Sequence, residues 1–481
     1  MKFLVTTMLV LLLLVNSELG RPYTIIMSDS GGPPPSLING PKSRTDPREQ
    51  EAVYDIMRAT GNDWATDIPD VCLGRWHGIE CMPDKDNVFH VISLSFGALS
   101  VDTAFPTCDL SRSSISSSVT MLTHLRTLFF YRCFSDNPQP IPSFLGRLGS
   151  SLQTLVMREN GLIGPIPREL GNLTRLTILD LHRNNLNGSI PASLGRITGL
   201  TSLDLSCNRL SGPIPDITFP SLSVLDFNQN HLNGPLPIPL LSAKSLIKID
   251  LSRNQLSGPI PNNIGTENLI LLDLSYNTLT APLPISPKNL KSLQVLILNG
   301  NPSVSTTIPE NMFEGLNNLM ILGLSGMKLE GTIPESLGRL TMLRVLHLDD
   351  NQLNGSIPSS FANLNGLSEL RLNNNKLIGP IPFQRERVWK MGMKLRLDNN
   401  LGLCYDYKSG LGDDLDTLSG AGIGLCDAAK NGPPASVQHI STENDGEALQ
   451  SSRKTSSGEK IIVSRGILGL CVLLLFVSGL F

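Results

Sequence analysis

The side chains that could do chemistry are few and scattered. The chain has seven histidines and eight cysteines in 481 residues. None of the histidines shares a metal-ligand spacing with a second ligand, and no HExxH, GxSxG or phosphate-loop pattern occurs. One glycine-rich run, Gly420, Gly422 and Gly424, has neither a strand before it nor a helix after it, so it does not read as a phosphate cradle. No catalytic residue, cofactor or metal is expected, and the chain does not read as an enzyme.

The cysteines and the two ends point to the secretory pathway instead. By proximity Cys72 pairs with Cys81, Cys108 with Cys133 and Cys404 with Cys426. Cys207 is left as a thiol beside a repeat asparagine, and Cys471 lies in the C-terminal tail. Residues 1–20 read as a signal peptide, with an apolar run from Phe3 to Val15 that is too short to span a bilayer. Residues 459–481 carry a terminal apolar stretch from Ile467 behind the small residues Ser456, Ser457 and Gly458. That order fits a glycosylphosphatidylinositol signal with Ser456 as the lipid-anchor site, and a short transmembrane segment is the alternative. Either anchor places the chain on the extracellular side of the plasma membrane. Residues 21–43 and 427–458 are rich in Pro, Gly, Ser and charge, and read as a flexible arm and stalk. A formal net charge of -3, with 17% charged residues, gives no footprint for nucleic acid.

What must position any binding residue is a repeat. The pattern LxxLxLxxNxLxGxIP starts at Leu152, Leu176 and Leu200 and continues from Leu222, Leu246, Leu269, Leu293, Leu319, Leu343 and Leu367. The pattern asparagine falls at Asn160, Asn184, Asn208, Asn230, Asn254, Asn277, Asn301, Asn351 and Asn375, while Met327 and Cys133 replace it in two repeats. The two leucines of LxL point to one face of a short strand and stack into a column, each burial contributing roughly 1.5–3 kcal/mol. The asparagine amide can satisfy backbone groups of the bend that follows. Residues 91–394 thus read as about twelve leucine-rich repeats. They form an α/β repeat solenoid, a right-handed superhelix with a parallel β-sheet on its concave face and disulfide caps at 44–90 and 395–426. Asp46-Pro47-Arg48-Glu49 predicts a capping box that starts a helix running through Val53, Ile56 and Met57 to Gly61.

Function should sit on the sheet face. Sequons at Asn172, Asn187 and Asn354 put glycans outside the strand segment and leave that face bare. Its outward positions include Phe129, Tyr131, Arg158 and His182, and Phe129, Phe130 and Tyr131 read as exposed aromatics that could anchor a partner. An aspartate recurs at Asp180, Asp204, Asp226, Asp250 and Asp273, either as an acidic stripe for a basic ligand or as ordinary repeat consensus. Gln384 to Lys394 replaces a usual convex segment with basic residues and Trp389, and reads as a partner contact or a solvated loop.

Several segments are more specific than the repeats: EQEAVYDIMRATGNDW from Glu49, IPDVCLGRWHGIECMPD from Ile68, SLSFGALS, DTAFPTC, LFFYRC and IPSFLGRLGSSLQTL. Together they resemble the plant leucine-rich-repeat receptor-like proteins of stomatal patterning, from about Arg44 to Cys404. Trp64 and the Cys72–Cys81 region resemble the N-terminal cap of that class. The likeness departs in the signal peptide, stalk and tail, and at Cys207, where a small residue is expected. The resemblance implies a second short strand at GxIP and a kinase-less co-receptor. That co-receptor would pair with ERECTA-family receptor kinase ectodomains in the perception of secreted cysteine-rich patterning peptides. A secreted inhibitor of cell-wall polygalacturonases is the alternative; it would share the repeat but lack the tail and this N-terminal cap.

Overall fold

The structure is a computed structural model that describes residues 44–74, 77–97, 105–261, 266–280, 290–304, 306–400, 402–406 and 423–426. The signal peptide, the arm, the stalk with Ser456, the anchor signal and Trp76 lie outside the described residues.

The repeat leucines do what their period requires. Leu179, Leu203, Leu225, Leu272, Leu346 and Leu370 are buried in a core that continues from Ala52 to Ile423. The strands that carry them form one fifteen-stranded sheet. It opens with Arg44–Thr45 and Val88–Phe96, runs through Thr127–Tyr131, Thr154–Arg158 and Ile178–Asp180, and ends at Leu395–Arg396. Neighbours along this path are parallel, and Ile79–Pro83 pairs antiparallel with Val88–Phe96 at the N-terminal end. The GxIP segments add the expected second strands. Six of them, from Ile163–Pro165 to Thr278–Thr280, make one sheet, and three more, from Glu330–Thr332 to Lys376–Pro380, make another that the cap strands Gly402–Tyr405 and Gly424–Leu425 extend. Gly164, Gly188 and Gly212 sit at φ +79°, +75° and +80°, a left-handed turn that favours glycine at this step of the repeat.

The asparagines form the predicted ladder. In one rung Asn254 Nδ2 donates to the carbonyls of Phe227 (2.9 Å) and Leu251 (3.2 Å), and its Oδ1 accepts from Leu232 N–H at 3.0 Å. The same pattern recurs at Asn184, Asn208, Asn230, Asn277 and Asn375. Each side chain ties its own bend to the preceding repeat, so buried backbone groups find partners that the short strands cannot supply.

Both caps are sealed by the paired cysteines, Cys72–Cys81 and Cys108–Cys133 at one end and Cys404–Cys426 at the other. The N-terminal helix spans Pro47–Ala59 and buries Ala52, Val53, Ile56 and Met57. Asp46 accepts from the amides of Arg48 and Glu49 at 2.8 and 3.2 Å. The reciprocal half of the capping box is not made. Asp46 N–H donates instead to Phe89 O at 2.9 Å, because the chain before the helix is a strand of the long sheet, and the Glu49 carboxylate turns toward the sheet. Gln384–Lys394 is not a loop either: Arg385–Met391 is helical and buries Val388 and Met391.

Candidate functional site

The middle residue of each LxL strand forms a continuous column on the side of the long sheet opposite the leucine core, where Val156, Asp180 and Asp226 are themselves buried. In direct register it reads Phe129, Val156, Asp180, Asp204, Asp226, Asp250, Asp273, Ile297, Gly323, His347, Arg371 and Arg396. One face therefore passes from apolar, through acidic, to basic along its length.

The five aspartates are fold-building groups before they are anything else. Oδ1 of Asp204, Asp250 and Asp273 accepts the backbone N–H two residues on, at 2.9, 3.1 and 2.9 Å, and also the hydroxyl of Ser206, Ser252 or Ser275. Stacked about 4.8 Å apart by the strand spacing, their charges repel. Burial pushes Asp180 up from 3.8 to about 7, Asp204 adds to the rise, and Arg158, 3.7 Å away, opposes it. Burial, then neighbouring carboxylates, also raises Asp204 and Asp250, and burial raises Asp273. Lys248 lies between rungs, 2.7 Å from Asp226. Burial works against its charge, yet Asp226 and Asp250 raise its pKa above the ordinary value. The ladder is thus partly neutralised from within, which fits repeat consensus better than an open acidic stripe. At the basic end Glu369 accepts from His347 at 2.9 Å and Arg371 at 2.7 Å, and the His347 bond leads in holding its carboxyl down at about 2.

The predicted contact residues do not all stand where exposure was expected. Phe129 is half-buried, its ring centroid 6.4 Å from that of Phe105. Phe130 is core, stacked on Phe96 at 5.0 Å. Tyr131 is only 7% exposed. Its carbonyl closes over Gly97, where a Cβ would come within 1.9 Å, and the Arg132 guanidinium covers its ring at 5.0 Å. Arg158 and His182 are half-buried. Arg158 faces Asp180, and His182 Nδ1 lies 2.7 Å from Ser206 Oγ, with burial lowering its pKa. Trp389 is 79% exposed on its helix, remote in the repeat from the strand column. Arg387 beside it is engaged, donating to the carbonyls of Phe361 and Ala362 and to Asn365 Oδ1. Asn172, Asn187 and Asn354 are exposed, away from the strand column. Cys207 sits at φ 53° on the bend of its repeat and belongs to none of the three disulfides. Sequence spacing gave no sign of one further group. Among the described residues Glu49, His90 and His124 bring ligand-type atoms within 4.8 Å of one another.

Comparison with known proteins agrees with this architecture. The Leucine Rich Repeat family profile matches residues 151–173, 175–197, 199–219, 245–266 and 342–364. The chain is 59% identical to Protein TOO MANY MOUTHS of Arabidopsis thaliana over 462 residues, 94% of this chain and 93% of that one. It belongs to that family, among the plant leucine-rich-repeat receptor-like proteins. Receptor like protein 29 of the same plant is 36% identical over 141 residues, 28% of this chain and 29% of its own. Among solved structures the chain resembles PEPR1 in complex with AtPEP1, at 30% identity and a TM-score of 0.58, over 74% of this chain and 49% of that one. It also resembles the Arabidopsis HAESA ectodomain with an IDA peptide hormone, at 26% identity and a TM-score of 0.52, over 75% and 70%.

Proposed function

We propose that the chain acts at the outer face of the plasma membrane as a co-receptor in stomatal patterning. Its repeat array would supply recognition, while an ERECTA-type receptor kinase supplies catalysis and responds to secreted cysteine-rich peptides. The observation that carries this reading is the 59% identity over 94% of the chain, which takes in the N-terminal cap as well as the repeats. The sheet face adds support, because its three chemical zones offer a partner more discrimination than a uniform surface. The peptide hormone bound by the similar HAESA ectodomain is in keeping with it.

The test is binding of the secreted chain to an immobilised ERECTA-type ectodomain, with and without a patterning peptide. Phe129→Ala and Trp389→Ala separate two candidate surfaces. Loss of a buried aromatic anchor costs about 2 kcal/mol or more, roughly thirtyfold in affinity. Tyr131→Ala is unsuited to this purpose, since the side chain is buried and its loss would disturb the cap. A thirtyfold loss in Phe129→Ala alone places the partner on the sheet face, and in Trp389→Ala alone on the helix side. No binding by the wild-type chain, with peptide or without, rejects the co-receptor reading.

A further inference from the structure

Glu49 is a buried carboxylate, with a side chain 4% exposed, that its own helix does not use as a cap. One oxygen, Oε2, accepts from Val91 N–H at 2.7 Å, which fixes the group against the first long strand. The other, Oε1, faces two imidazoles from different elements. His90 Nδ1 of Val88–Phe96 is 2.9 Å away, and His124 Nδ1, in the turn before Thr127–Tyr131, is 3.3 Å away. The two rings lie with centroids 4.0 Å apart, tilted by 37°. Thr123 Oγ1 also stands 3.3 Å from His124 Nδ1.

We propose that Glu49, His90 and His124 form a binding site for a divalent transition-metal ion of the zinc class, which staples the N-terminal helix to the first strands of the sheet. Donors bound tetrahedrally at about 2.0–2.2 Å lie about 3.3 Å from one another. Glu49 Oε1 stands at that separation from His124 Nδ1, at 3.3 Å, and somewhat closer to His90 Nδ1, at 2.9 Å, and the three ligand-type atoms lie within 4.8 Å of one another, so side-chain rotations complete the three-donor set. The site has an outer layer as well. His90 Nε2, the nitrogen that would remain free, points at Asp84 Oδ2 at 3.4 Å. Asp84 is itself held by the amides of Val88 and Asp86 at 2.9 and 2.8 Å. A carboxylate on the far nitrogen of a metal-ligating histidine orients the ring and raises its basicity. A cavity lined by Asp84, His90, Thr123, His124 and Arg126 adjoins the group, so water can take the fourth position. Two imidazoles and one carboxylate select zinc, copper or nickel over calcium or magnesium, which take oxygen donors in larger number.

Zinc chloride titrated calorimetrically into the chelator-treated, secreted full-length chain tests the proposal. One ion per chain is expected, with a higher melting temperature in its presence. His124→Ala alters a side chain that is 53% exposed, so the fold should be spared. That variant should bind zinc at least about tenfold more weakly and lose the thermal gain, and Asp84→Asn should weaken binding about tenfold. His231→Ala, at an exposed position in a distant repeat, should change nothing. Cobalt(II) in place of zinc should give the strong visible absorption of a tetrahedral site, absent in His124→Ala. The proposal is overturned if the wild-type chain binds no zinc, or if His124→Ala and His90→Ala both leave its affinity unchanged.

Discussion

The aspartate ladder makes an unusual stability prediction. Asp180 faces Arg158, His182, Asp204 and Asp226, and its rise from 3.8 to about 7 means that ionising it costs the fold about 4 kcal/mol. The sign follows from linkage. A carboxyl whose folded pKa is raised contributes stability that is fully present below its unfolded value and lost as pH rises through its folded value. For Asp180 that window runs from about pH 4 to about pH 7, and the raised pKa values of Asp204, Asp250 and Asp273 act in the same sense. His182 acts oppositely. Burial lowers its pKa, so its contribution is present above 6.5 and lost as pH falls through the lower folded value. Asp180→Asn keeps an oxygen for His182 N–H, which Asp180 now accepts at 3.0 Å, and removes the ionisation. Because the rungs share protons, and because Arg158 loses its counter-charge, the net gain should be smaller than the whole cost, about 2 kcal/mol at pH 8. Urea unfolding of wild type and variant at pH 4, 6 and 8 measures it. The curves should coincide near pH 4 and separate in favour of the variant as pH rises. A variant less stable than wild type at pH 8, or a difference that does not change with pH, would refute the account.

Four further outcomes are expected. Asn254→Ala strands Leu232 N–H, whereas the Phe227 and Leu251 carbonyls keep the Asn230 and Asn277 amides as donors, so urea unfolding should show a loss of about 1–3 kcal/mol; an unchanged stability would deny the ladder its role. Cys404→Ser opens the C-terminal cap and should cost about 2–5 kcal/mol and lower secretion, whereas normal secretion and melting would argue against capping. Replacing Asn172, Asn187 and Asn354 by Gln should remove glycan mass but leave kinase-ectodomain binding unchanged; weakened binding would move the partner to the glycan side. Phosphatidylinositol-specific phospholipase C should release the chain from intact cells, and retention of a product that still carries Phe481 would favour a spanning helix.

The repeat made most of the fold readable, because each position has one task that a single residue type performs. Leu179 or Asn254 can be assigned from its place in the pattern, and the cysteine pairs followed from proximity. What escaped was set by packing between repeats. Phe130 and Tyr131 look alike beside Phe129, but alternation buries one, and the approach of Gly97 closes over the other. The helix at Arg385–Met391 escaped because the corresponding places in the two preceding repeats, Glu335–Arg339 and Ser359–Asn363, form only short 3-10 turns with a different sequence. Glu49, His90 and His124 were illegible for a geometric reason. They come from a helix, a strand and a turn, so no spacing links them, and the visible capping motif suggested a different use for Glu49.

If the proposed co-receptor role holds, the order of chemistry along the sheet bears on how the chain could divide its surface. From Phe129 to His347 the column takes nine strand-to-strand steps, about 43 Å at ~4.8 Å per strand. An extended segment of about 13 residues at ~3.3 Å each would be needed to touch both the apolar and the basic end. A compact cysteine-stapled ligand could not, and would cover one zone only. Between the ends, Asp226 is already matched by Lys248 and the other carboxylates are held by their own bends, so the middle offers little net charge to a ligand. Discrimination therefore belongs to the ends. On this reasoning the apolar end, next to the disulfide-bonded cap, and the basic end around His347 and Arg371 are separate surfaces, so one can hold a peptide while the other faces a kinase ectodomain. Charge reversal at Arg371 (Arg371→Glu) and truncation at Phe129 (Phe129→Ala) should then weaken binding of different partners. If both variants lose the same partner to the same degree, the face is a single site.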